Sequence, residues 1–319
     1  MKDAVLAEVV RSGVVESQHR GFLVALNADG SVNLELGDSS HLIFPRSTVK
    51  SFQAAAMVRN GLKLEPRLLA LGASSHSGSA EHIAAVREIL ATVNLDETAL
   101  QCMLDKPLGE LERREWGDKA PTRLAMNCSG KHAGMLATCV INNWSIEDYL
   151  NPEHPLQIEI KKELIRLSEE SVLKTTADGC GAPLFLMSMM GLARTARNIT
   201  ISDDPVHKSV VDACRNNPFM VAGKDRITTK FMESTPGLFI KDGAEAVGFS
   251  SMPDGRAVVF KIGDGSNRAF GVILQGAWRQ LGVELQPSDR NAGLTYVARI
   301  GQIKIIVEML PITGGAGQV

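Results

Sequence analysis

The chain has 319 residues, enough to bury a large core, with the ordinary globular proportions of 44% hydrophobic and 22% charged residues. A formal net charge of -2, with no run of five like charges, excludes the electrostatic footprint of a nucleic-acid or membrane partner and favours a small polar, neutral or zwitterionic ligand. No apolar signal segment or eighteen-residue apolar stretch occurs, and five cysteines (Cys102, Cys128, Cys139, Cys180, Cys214) at irregular spacing read as reduced thiols, so cytoplasmic residence is expected.

Residues 21–36 read as a hairpin, in which Phe22 to Leu26 and Ser31 to Leu36 flank the small polar residues Asn27, Ala28, Asp29 and Gly30. Next comes the apolar run Leu42 to Pro45, then Arg46-Ser47-Thr48-Val49-Lys50 and a second apolar run from Phe52 to Val58. On a helix, residues three apart share a face, so Ser47 and Lys50 are placed where a neutral amine can take the proton that makes a hydroxyl nucleophilic. With 23 serines and 15 lysines, about one such match arises by chance. A second, Ser171 to Lys174, follows a charged amphipathic segment and reads as a solvated decoy. Ser47 differs because it sits where a buried strand gives way to a buried helix, with its amide at a helix start. The alternative is a capping serine.

The small-residue loop Gly72 to Ser79 contains Ser75 and His76, and reads either as a substrate contact or as a turn that caps a helix through Ser79, with Ile83, Val86 and Leu90 on its apolar face. Asn127-Cys128-Ser129-Gly130-Lys131-His132 gathers a thiol, an amine and an imidazole, and lacks the earlier glycine and following hydroxyl of a phosphate-binding loop. Pro155 and the Asp204-Pro205 pair mark helix starts, the first expected to run over 155–172. Asp178-Gly179-Cys180-Gly181 is a second thiol loop whose glycines permit close backbone approach. Cys128 and Cys180 are either zinc-binding thiolates or two buried structural thiols. Strand signals return at Leu238 to Lys241 and Ala257 to Ile262. There Lys261 leaves a buried run, either as a base of lowered pKa or as a snorkelling lysine.

Strands at both ends with helices between predict an α+β fold, layered α/β/α, whose antiparallel sheet is built from both chain ends beside a helical subdomain. The whole of 1–319 is read as one catalytic unit, roughly 1–50 and 200–319 bearing the sheet and roughly 51–199 mainly helical.

Taken in order, Ser47-x-x-Lys50, Ala73-Ser74-Ser75-His76, Asn127 to His132, Asp178 to Pro183, and Lys261 with Asp264-Gly265 resemble the bacterial L-asparaginase II family of the rhizobial type. Val15 to Gly21 and Gly243-Ala244-Glu245 are similar to its flanking motifs. The resemblance spans nearly the whole chain. It implies two serine-lysine couples, Ser47 with Lys50 and Ser75 with Lys261; a Zn2+ cofactor held by Cys128, Lys131 and Cys180; and Arg46, His132 and Asp178 near the substrate. It also implies a fold like that of serine beta-lactamases and glutaminases, and a homodimer. The activity expected is hydrolysis of L-asparagine to L-aspartate and ammonia, with the zinc orienting substrate. Asparagine and glutamine differ by one methylene, about 1 to 3 kcal/mol in a pocket, so the sequence does not separate them. Two other readings use the same residues: a penicillin-interacting or beta-lactamase-like serine acyl enzyme, against which the missing Lys-Thr-Gly triplet counts, and a non-catalytic zinc or small-ligand sensor.

Overall fold

The computed structural model of the protein describes residues 3–285, 295–300 and 303–308. The part of the expected C-terminal sheet region beyond 308 lies outside the described residues. Eight antiparallel strands form the main sheet, in the spatial order Ile303–Glu308, Thr295–Ile300, Ala4–Arg11, Val14–Leu26, Ala257–Ile262, Val247–Ser251 and Phe239–Gly243. The eighth, Val32–Leu36, pairs with the end of Val14–Leu26, with Leu26 opposite Val32, as the expected hairpin requires. The sheet therefore joins both chain ends, as the sequence pattern predicts.

Phe22 through Leu26 are buried without alternation, the mark of a strand covered on both faces. The hydrogen bonds identify the covers. Successive residues of a strand point to opposite faces. Trp278 Nε1 in helix Phe270–Gln280 donates to Ser250 Oγ at 3.0 Å, while Thr200 in helix Met189–Ile201 pairs with Ser251 Oγ at 2.6 Å. One helix lies on each face, which makes the layers α/β/α.

Beside the sheet, helix Lys50–Arg59 is buried from Lys50 to Met57 and has no polar face. It is packed round by helices Pro66–Gly72, Ser129–Ile141, Pro155–Ser168 and Pro205–Asn216. Local signals set several of these starts. Ser79 and His82 form a capping box for Ala80–Ala91, and Asp204 caps the helix that begins at Pro205. The helix expected over 155–172 stops at Ser168, where Glu169 turns left-handed at φ 58°. Ser171 and Lys174 thus lie beyond its end in irregular backbone. No helix among the described residues is long and apolar enough to cross a membrane.

Arg59, at the last turn of the central helix, is held by Glu163 (Nε to Oε2, 2.9 Å) and Asp204 (2.7 Å), and Glu163 also meets His207 at 2.5 Å and Arg166 at 2.6 Å. Burial opposes charge on Glu163, but its hydrogen bonds with His207 and Arg59 win and hold its pKa at about 2. Because this folded value lies below the unfolded one, the stabilisation is complete above about pH 4.3 and is lost as pH falls toward 2. Glu163→Gln is therefore expected to cost about 3 kcal/mol in urea unfolding at neutral pH, and to flatten the loss of stability between pH 4 and 2; an unchanged acid limb would contradict this.

Candidate active site

Pro45 leads into Arg46, whose φ of 54° is left-handed, an unusual conformation for a side chain that must have a reason. The chain then makes a 3-10 turn over Arg46–Val49 and enters the central helix at Lys50, whose amide donates to the Ser47 carbonyl. The edge strand Phe239–Gly243 packs on this turn so closely that a Cβ on Gly243 would stand 3.0 Å from the Pro45 carbonyl oxygen and 3.4 Å from the Ser47 nitrogen. Ser47 is half-buried beneath that edge, while Lys50 is 1% exposed.

The expected helical spacing is present, but the amine reaches away from Ser47. Lys50 Nζ donates to the Ser74 carbonyl at 2.6 Å, Ser75 Oγ at 3.0 Å and Cys128 Sγ at 3.0 Å, which uses all three of its N–H bonds. Ser75 therefore pairs with Lys50 and not with Lys261 as expected. Lys261 is instead spent on carbonyls, those of Glu245 (2.5 Å) and Ile262 (2.7 Å). Its pKa is lowered, chiefly by burial. The loop that carries Ser75 is fixed by its backbone: Ser75 N donates to the Val221 carbonyl and His76 N to that of Asn127.

Cys128 caps helix Ser129–Ile141, and Lys131 and His132 lie in its first turn. Cys180 comes from the hairpin loop between Thr175–Ala177 and Pro183–Phe185, where Gly181 adopts φ 89°. These segments bring the two thiols together. Cys180 lies well below the usual thiol range, first through its interaction with the Cys128 side chain and then because Lys131 and His132 face it; Cys128, whose thiol donates to Asn127 Oδ1 at 3.0 Å, is pushed up by Cys180 and by burial. The two opposite directions put the negative charge on Cys180. Lys131 Nζ stands 3.1 Å from Cys180, and despite burial the Cys180 thiolate, with Cys128 beside it, raises its pKa. His132 donates or accepts at Nδ1 with the Tyr149 hydroxyl (2.8 Å), has its pKa lowered by burial, and leaves Nε2 buried without a hydrogen bond.

Arg46 Nε donates to Asp178 Oδ1 at 2.7 Å, so two of the three expected substrate-contacting residues form one ion pair. Both line an open cavity of about 530 Å³. A residue that sequence reasoning passed over is Lys241 on the edge strand. It is 1% exposed, and its Nζ donates to the Asp242 carbonyl (2.6 Å) and carboxylate (3.0 Å). Burial, with a lesser push from the Lys50 charge, brings its pKa down to about 8. Asp242 is in turn held by Arg226 (2.8 Å) and Thr228 (2.9 Å). The signal for Lys241 was a lysine closing an apolar strand before Asp-Gly, the context that drew attention to Lys261.

The donor set suits zinc, which prefers thiolate and nitrogen: two buried thiols whose pKa values shift each other, and an amine on one of them. No three His, Cys, Asp or Glu side chains gather as a metal site among the described residues.

A family model described as L-asparaginase II matches residues 7–302. No curated protein matches the sequence. Among solved structures, Mglu in its tris and glutamate form matches at 11% identity with a TM-score of 0.45, over 88% of this chain and 64% of that one. The chain thus spans just under two thirds of the length of Mglu. A class A beta-lactamase from Mycobacterium abscessus matches at 15% identity and TM-score 0.39, over 82% and 92%, and a beta-lactamase from Mycobacterium bovis at 13% and 0.38, over 82% and 95%.

Proposed function

We propose that this protein, which belongs to the L-asparaginase II family, hydrolyses L-asparagine to L-aspartate and ammonia through a serine acyl-enzyme. The observation that carries the reading is the fully buried Lys50 amine, three residues after Ser47 and 3.0 Å from Ser75 Oγ. Ser47 is the nucleophile: it is half-buried and lies in the helical turn that leads into Lys50. Lys50 and Ser75 form the proton relay on its inner side once the Lys50 ammonium has given up one of its three donated protons, since only the neutral amine can accept from Ser47. Lys241, on the strand that covers Ser47, is the second buried base and takes the place first given to Lys261. Arg46 and Asp178 hold the α-carboxylate and α-ammonium of the substrate, and His132, neutral and buried, borders the thiol centre.

Cys128, Lys131 and Cys180 are the residues that would hold Zn2+. When bound, the ion would orient substrate by charge and, being thiolate-rich, add little Lewis acidity.

Ser47→Ala is expected to lower kcat/KM for ammonia release from asparagine by about a thousandfold or more; wild-type rates in that variant would remove the nucleophile assignment. A base must be neutral to act, so activity should rise with pH through about 8, the value for Lys241, and this limb should vanish in Lys241→Arg. A profile flat from about pH 7 to about pH 9 would count against Lys241. Zinc binding must displace the protons on Cys128 and Lys131. Calorimetry in buffers of differing ionisation enthalpy should thus show about two protons released per ion near pH 7, and no binding to a Cys128→Ser, Cys180→Ser variant. Absence of zinc binding by the wild type would end the metal assignment.

A further inference from the structure

The cavity bordered by Arg46 and Asp178 is far larger than asparagine needs. Its volume of about 530 Å³ lies within the range of about 300 to 1,000 Å³ that holds drug-sized ligands. Beyond the ion pair its wall turns apolar: Phe22, Leu42, Phe44 and Leu184 line it, and Phe22 stacks on His41 with ring centroids 4.0 Å apart. Leu42 and Phe44, at 40% and 36% exposure, form an open rim. Glu245 and Lys261 also line it, and Lys261 has spent two of its three N–H bonds on carbonyls.

The rim is also strained. Glu245 and Ala246 take consecutive left-handed φ values of 62° and 53° in the turn between Phe239–Gly243 and Val247–Ser251, a pair of positions that turns usually give to Asn and Gly. Lys261 pins that turn through the Glu245 carbonyl. Arg46 is left-handed as well, so two such residues, Arg46 and Glu245, line one cavity. Backbone strain of this kind is retained where a ligand is clamped.

We infer that this compartment takes the second residue of an asparaginyl dipeptide with an apolar C-terminal residue, such as asparaginyl-leucine, so that the protein deamidates short peptides that begin with asparagine. The inference rests on the asparaginase reading, in which Arg46 and Asp178 hold the α-carbon end of the substrate. The free ammonium then meets Asp178, the peptide carbonyl replaces the α-carboxylate at Arg46, the apolar side chain lies on Phe22, Phe44 and Leu184, and the terminal carboxylate reaches Lys261. The C–N bond of the asparaginyl carboxamide breaks, water supplies the new C–O bond, one of its protons leaves on ammonia and the other goes with the new carboxyl group, and the peptide bond survives: asparaginyl-leucine plus water gives aspartyl-leucine plus ammonia.

The test compares asparagine, asparaginyl-glycine and asparaginyl-leucine by ammonia release, with the peptide product identified by mass spectrometry, and measures binding of aspartyl-leucine and aspartyl-glycine by calorimetry. We expect kcat/KM for asparaginyl-leucine about tenfold above asparaginyl-glycine, and a tenfold loss on the leucyl peptide alone in Phe44→Ala. If asparagine is hydrolysed while asparaginyl-leucine is neither cleaved nor preferred over the glycyl peptide, the compartment assignment is overturned and the asparaginase reading stands. If no amide is hydrolysed but aspartyl-leucine binds about tenfold tighter than aspartyl-glycine, with that preference lost in Phe44→Ala, the peptide compartment stands without the activity. Equal or absent binding of the two products, with no turnover, overturns both.

Discussion

A lysine amine with 1% of its surface in water must find an acceptor for each of its protons, and Lys50 finds them on Ser74, Ser75 and Cys128. Those partners come from two segments distant in sequence, the loop after Pro66–Gly72 and the start of Ser129–Ile141. An uncompensated buried charge would cost several kcal/mol, so this one nitrogen obliges the two segments to close on the central helix. The rest of the site is arranged around that obligation. Ser47 is one turn upstream, Lys131 and His132 lie in the first turn of the helix that starts after Cys128, and Cys180 comes in from the hairpin loop.

The sheet supplies the other wall. Its edge strand Phe239–Gly243 ends against the Ser47 turn, where a side chain at 243 would crowd the Pro45 carbonyl. Lys241 is carried in by the same strand and sits among Asp242, Arg226 and Thr228, where burial moves its pKa near the working range of a base. Two buried lysines, of which Lys241 has its pKa lowered by burial and by the charge of Lys50, make a site in which proton position is set by the fold.

Much of this was legible in the residues. The caps at Ser79 and Asp204, the hairpin at 21–36 and the strands near 239 and 257 rest on local chemistry, and local chemistry is what a sequence displays. Strands Ala4–Arg11 and Val247–Ser251 were not legible. Their meaning comes from pairing with residues far away. The same limit explains the lysines. Lys241 and Lys261 both close an apolar run before a turn, and nothing nearby distinguishes them. The sheet order does, because 241 lies on the edge that meets the helical part while 261 lies on an inner strand and spends its protons on carbonyls. Likewise the spacing of Ser47 and Lys50 gave their shared turn but not the direction of a four-carbon side chain, which the buried acceptors decide. Motif resemblance led to the thiol loops, whose closure depends on a hairpin that spacing alone does not reveal.

The account turns on which hydroxyl is acylated when the Lys50 junction works. Rapid acid quenching during turnover of asparagine, followed by peptide mapping with mass spectrometry, measures this directly. The account predicts an aspartyl ester on the peptide that carries Ser47. An ester on the peptide that carries Ser75, or no ester at any quench time, would contradict it.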